Sequence, residues 1–159
     1  MTRNEFDLMI KKEIVAANEL IPNEMLPDLP PMQDYPDVPE WHDFEHAMWK
    51  IGENIRQLIL KHKKELNDNQ INDILSICSN PNAKRGRESF VMLLGKKRHV
   101  KYAPQLIELI DDRYIEGHVV YTIEKMGAPQ YTNEITPFLS HKKTLIRNIA
   151  KKYIQKYGN

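Results

Sequence analysis

A chain of 159 residues, 41% of them hydrophobic and 28% charged, is one domain by length and can bury a core without staples. Its only cysteine, Cys78, excludes an intrachain disulfide framework and any multi-cysteine metal site. The net charge of +1 conceals a split: residues 1–45 hold eleven Asp/Glu against Arg3, Lys11 and Lys12, whereas residues 46–159 hold twenty Lys/Arg against eleven acids. Such asymmetry points to an electrostatic partner, inside the molecule or outside it.

The opening MTRNEFDLMIKKEIV lacks the continuous apolar core of a signal peptide. No apolar run approaches the ~20 residues that cross a bilayer. The expectation is a soluble cytoplasmic protein with no membrane partner. Residues 1–21 contain a helix over 4–20, with Phe6, Met9, Ile10, Ile14 and Ala17 on one face. Prolines 22, 27, 30, 31, 36 and 39 then exclude helix and central strand across 22–39. That stretch is extended, a tether or a strap. Met25, Leu26, Leu29, Met32, Tyr35 and Val38 favour the strap, because a free linker rarely needs apolar side chains.

Asp37 and Glu40 form a capping box around Pro39, which predicts a long helix over 40–66. Trp41, Phe44, Met48, Ile51, Ile55, Leu58 and Ile59 are its buried stripe. Its start, EWHDFEHAMW, fits H-x-x-E-H, the metal helix of inverted zinc peptidases. A zinc hydrolase would use His42 and His46 as ligands and Glu45 as base, with a distant carboxylate such as Glu116 or Glu124. A five-residue match in a charged helix arises easily by chance, and nothing else in the chain resembles those enzymes. The reading adopted is a helix start with two polar-face histidines, with no metal and no cofactor.

From residue 69 the chain repeats. YAPQLIELIDD from Tyr102 returns 29 residues later as YTNEITPFLSH from Tyr131. Gly86, Ile115 and Ile146 correspond, as do Phe90, Val119 and Ala150, and Leu94, Ile123 and Ile154. Each unit is a short helix, a polar turn and a second helix, twice closed by glycine (Gly127, Gly158). One such pair cannot hide both apolar faces, so neighbouring pairs must stack. GRESFVMLLGKKRHVKYAPQLIELIDD and LIRNIAKKYIQKYG resemble the short HEAT-like repeats of phycobilisome lyases over residues 69–158. Arg87 and Arg147 match the family arginine, and Glu116 replaces it in the middle unit. The fold class expected is therefore all-α: a short right-handed α-α superhelix, with N-terminal capping helices and a Pro-rich strap.

No nucleophile elbow, phosphate loop or C-x-x-C is present. Cys78 reads as a packed small residue, and Asp111 and Asp112 as caps of the following helix. No enzyme and no small-molecule substrate is indicated. The resemblance implies that second helices line a concave face, here cationic. Its expected partner-binding residues are Lys84, Arg87, Lys97, Arg98, His118, Tyr121, Arg147 and Lys151. A protein with an acidic surface is the first partner, in a regulatory or, by fold-level analogy, toxin-neutralising adaptor. A nucleic-acid backbone is the alternative, as in HEAT-like DNA-repair proteins, and the acidic strap itself is a third. Charge reversal at Arg87, Arg147 and Lys151 should then abolish docking without lowering the melting temperature.

Overall fold

The computed structural model describes residues 1–158. Among them are eight α-helices, three 3-10 segments and one two-stranded hairpin, so the chain is mostly helical. None of these helices is long and apolar enough to cross a membrane. The chain divides into two compact units, residues 1–90 and 91–159.

In the first unit, α1 spans Arg3–Leu20. Thr2 accepts the Glu5 N–H, and the Glu5 carboxylate accepts the Thr2 N–H at 2.7 Å, a reciprocal cap. Those bonds hold the Glu5 carboxyl below its ordinary range. Phe6, Ile10, Ile14 and Ala17 are buried, and Met9, expected with them, is 38% exposed. The proline stretch forms a short hairpin, β1 (Pro31–Met32) and β2 (Tyr35–Pro39), antiparallel with Met32 opposite Tyr35. Strand was not expected here. A ribbon of two edge strands tolerates proline, because a missing N–H on an outward edge forfeits no ladder bond.

α2 spans Asp43–His62, starting three residues later and ending four residues earlier than the expected 40–66. Pro39 belongs to β2, so the Asp37–Glu40 box does not form. His42 takes the cap position instead, its N–H bonded to the Glu45 carboxylate at 2.7 Å. The helix ends on Lys63 in the left-handed region, φ 51°. Buried along α2 are Glu45, Met48, Gly52, Ile55 and Ile59, with Trp41, Phe44, Ile51 and Leu58 half-buried. The buried line thus includes a carboxylate and a glycine that a search for apolar residues passes over. α3, Asp68–Cys78, is capped by Asn67 and Gln70 in reciprocal bonds of 2.9 Å. The Gln70 amide also donates to Asp7 at 2.8 Å, and Arg3 donates to the Glu65 carbonyl at 2.7 Å, tying α1 to the start of α3. A 3-10 segment, Pro81–Arg87, follows and runs into α4, Glu88–Leu93. The boundary between the two units falls inside α4.

The second unit continues with a 3-10 turn, Lys97–Tyr102, that runs into α5, Ala103–Ile107. α6 is Glu116–Met126. α7, Thr132–Ile135, passes into a 3-10 segment, Thr136–Ser140, and α8 spans Thr144–Tyr157. Gly127 closes α6 at φ 72°, where a side chain would be strained. Gly158 has an ordinary φ of −77°, so its glycine is not conformationally required. Burial follows the repeat register at several positions, although Ile154, matched to the buried Leu94 and Ile123, is half-buried. Phe90, Val119 and Ala150 are all fully buried, as are Leu106 and Ile135, and Tyr102 and Tyr131 both lie inside. Tyr153 of α8 secures the last pair: its hydroxyl donates to the Ala128 carbonyl and accepts the Tyr131 N–H at 3.0 Å.

Gly52 marks the tightest approach in the first unit. A Cβ there would lie 2.1 Å from Ser89 Oγ and 2.8 Å from Ser89 Cβ. Gly52→Ala should therefore lower stability by about 1–3 kcal/mol, the usual cost of overpacking, read as a fall in melting temperature. Ser89 Oγ is buried without a hydrogen bond, so Ser89→Ala should be neutral or stabilising. It should also restore part of the loss in the double variant.

Candidate partner-binding surfaces

The H-x-x-E-H string does not lie on one helical face, because His42 stands outside the helix as its cap. Its Nε2–H donates to the Pro27 carbonyl at 2.9 Å. Glu45 is 1% exposed. One carboxylate oxygen takes the His42 N–H, and the other takes the Arg85 N–H at 2.9 Å. A carboxylate whose two oxygens both hold backbone is a joint of the fold. Among the described residues, no group of three His, Cys, Asp or Glu stands in a metal-binding arrangement.

Glu45 meets a segment with unusual backbone. Lys84 has φ 47° and ψ −131°, a region costly to any residue with a Cβ, by about 1–3 kcal/mol. The turn directs Lys84 inward: it is 1% exposed, with Nζ 2.7 Å from the Asp28 carboxylate of the strap. Arg87 is 0% exposed. Its Nε donates to the Lys84 carbonyl at 2.7 Å, and its NH1 to the Cys78 carbonyl at 3.1 Å. Cys78 is buried, and burial pushes its thiol up to about 12, so it stays protonated at neutral pH.

Two of the eight residues expected to face a partner are thus inside the protein, and Lys84 and Arg87 are withdrawn from that set. Arg147, at the position equivalent to Arg87, is half-buried. Its NH1 donates to the carbonyls of His141 and Lys142 at 2.7 and 3.0 Å, and its NH2 to Thr144 Oγ1 at 2.8 Å. At both places the repeat arginine braces the turn before its helix. Glu116, which replaces it in the middle unit, bonds His141 Nε2 at 2.9 Å and so reaches the last turn from the other side. Recurrence at one repeat position was the signal available in the sequence: a residue that returns with the fold usually serves the fold. Asp112 also departs from its expected role. Its carboxylate accepts the N–H of Tyr114 two residues on, shaping the turn, while α6 has Ile115 at its cap position and no side-chain cap.

Of the rest, Lys97, Arg98 and Lys151 are exposed, and His118 and Tyr121 are half-buried on α6. Lys97 and Arg98 lie in the 3-10 turn that opens the next pair, not on the preceding helix. Burial and the nearby Lys143 ammonium push the His118 imidazole down to about 4, so it is neutral at pH 7 and adds no charge. Lys125 lies over the Tyr121 ring, 5.6 Å from its centroid. The exposed cations of this unit gather toward its end. Residues 141–158 hold Lys142, Lys143, Arg147, Lys151, Lys152 and Lys156 and no Asp or Glu. Only Arg147 of the six is not exposed.

No protein-family model, curated protein or solved structure matches this sequence.

Arg87→Met should cost about 3–5 kcal/mol, since buried carbonyls lose a charged donor. Lys151→Glu should stay within about 0.5 kcal/mol. Denaturant titration of both variants checks the contrast, and it reverses the expectation that charge reversal at Arg87 leaves melting unchanged. His118 gives a pH signature. Its folded pKa lies below the unfolded value near 6.5, so the unfolded chain binds the extra proton between pH 6.5 and 4. Stability is full above 6.5 and falls as the pH drops through that window. His118→Gln should flatten the melting temperature across it.

Proposed function

We propose that the chain is a non-enzymatic, cytoplasmic binding module of stacked HEAT-like pairs. Its cation-bearing α8 face docks a protein partner of acidic surface. The observation that carries this reading is the composition of residues 141–158, six Lys/Arg with no acid. Leu145, Asn148, Lys151, Lys152, Gln155 and Lys156 are exposed at i, i+3, i+6, i+7, i+10 and i+11, one side of the helix. Leu145 is 72% exposed and gives the charged side an apolar contact point. Lys152 meets Glu124 at 3.3 Å. Lys142 and Lys143 have no carboxylate within ion-pair distance among the described residues.

Stability does not account for those two lysines. They stand at the start of α8, where the helix dipole disfavours cations by about 0.3–1 kcal/mol each, and the first turn holds no acid to offset them. A local rule broken without structural return is a mark of function. The whole second unit, residues 91–159, carries twelve Lys/Arg against six Asp/Glu, a field that concentrates anionic partners. The same face would attract a nucleic-acid backbone. It offers no exposed aromatic for base stacking, since Tyr153 is buried and Tyr157 half-buried.

Lys142→Glu/Lys143→Glu/Lys151→Glu should keep the wild-type melting temperature within about 2 °C, because exposed substitutions shift stability little. Cross-linking in the source cell should yield a discrete acidic partner with the wild type and lose it with the variant. Identical partners for both would remove the α8 face from the function. The nucleic-acid alternative predicts duplex binding that falls steeply between about 50 and 200 mM salt, measured by fluorescence anisotropy.

A further inference from the structure

The strap is held in a manner that its role as a connector does not require. Between Pro22 and Pro39 it is gripped by four side-chain donors. Asn82 Nδ2 donates to the Pro22 carbonyl at 3.1 Å, and His42 Nε2 to the Pro27 carbonyl at 2.9 Å. Lys84 Nζ donates to the Asp28 carboxylate at 2.7 Å, and Arg85 NH2 to the Pro39 carbonyl at 2.6 Å. Three of the four acceptors are proline carbonyls. Two of the donors carry aromatic support: Arg85 lies 5.1 Å over the Trp41 ring, and His42 stacks on Phe44 at 5.4 Å.

Residues 22–29 precede the hairpin, and an extended proline segment has no internal hydrogen bonds, so its carbonyls are free for outside donors. Proline-peptide grooves capture such segments with side-chain donors set among aromatic rings. The groove side shows an independent sign of adaptation. Lys84 sits in its strained backbone conformation with its ammonium buried against Asp28, and strain of this kind collects at binding sites.

We infer that the groove between Trp41–Phe44 and Asn82–Arg85 is a peptide-binding site for Pro-Asp-Leu-Pro segments, occupied in cis by the strap. The trans ligand is a segment of another protein with that pattern, which must displace the strap to enter. The tether sets the threshold, because a short linker holds its ligand at an effective concentration of order millimolar. This site lies within the first unit and stands independently of the α8 face.

The test uses the full-length wild type and a synthetic peptide of residues 25–40. At peptide concentrations of a few millimolar, two-dimensional NMR should show saturable shifts of the Trp41 indole and the His42 ring. Trp49, 40% exposed on α2, should stay still. The same peptide with Asp28→Asn and all prolines replaced by alanine should produce no shift. In the full chain, Asp28→Asn/Pro27→Ala/Pro30→Ala should weaken the strap and improve affinity for the intact peptide about tenfold. Adding Lys84→Met should abolish it. Unmoved Trp41 and His42 signals at about 10 mM intact peptide would overturn the inference for the wild type, whatever the variants do. Equal shifts from the altered peptide would show plain charge attraction and overturn it as well.

Discussion

A guanidinium removed from water must find acceptors, and in this protein the acceptors are backbone carbonyls at a helix end and in the turn that follows it. Arg87 is buried completely, with its bonds directed to the carbonyls of Lys84 and Cys78. The helices it joins are short: α3 has eleven residues and α4 six. Short helices leave a large share of their terminal carbonyls without partners. A single planar donor group that reaches the last carbonyl of α3 and the Lys84 carbonyl of the 3-10 segment fixes the turn between α3 and α4. Arg147 does the same before α8. Part of what looks like a cationic surface in the sequence is thus internal bracing.

The same segment governs the strap. Because the Lys84 backbone is forced into an unfavourable region, its side chain turns inward, and a buried ammonium cannot stay there without a carboxylate. Asp28 supplies it from 56 residues away in sequence. Glu45 completes the arrangement by holding the N–H groups of both His42 and Arg85, so the start of α2 and the 81–87 turn share one carboxylate. The N-terminal acids, an unexplained excess in the composition, are partly accounted for by these two contacts. What remains exposed and uncompensated in the second unit is concentrated on α8. The functional proposal rests there for that reason.

Helix existence, the repeat and the apolar register were legible in the chain. The offsets of 29 and 31 residues pick out positions such as Phe90, Val119 and Ala150 that are buried in each copy, because burial of a helical face depends on spacing that a sequence displays directly; Ile154, matched to the buried Leu94 and Ile123, is only half-buried. Cys78 as a packed residue was legible for the same local reason. The hairpin at 31–39, the His42 cap and the late start of α2 were not. Each depends on which of several competing local signals wins once distant residues are in place. The Asp37–Glu40 box is a valid helix start in isolation and loses to the pairing of β1 with β2.

By itself, the sequence determined a mostly helical chain with a non-helical proline segment after its first helix, since periodicity and proline's missing N–H are properties of neighbours along the chain. Only the tertiary structure decided which cations face water. Lys84 and Arg87 cannot be told from Lys97 or Lys151 by residue type or by helix position. Their burial follows from a carboxylate and carbonyl oxygens that folding brings to them from 3 to 56 positions away.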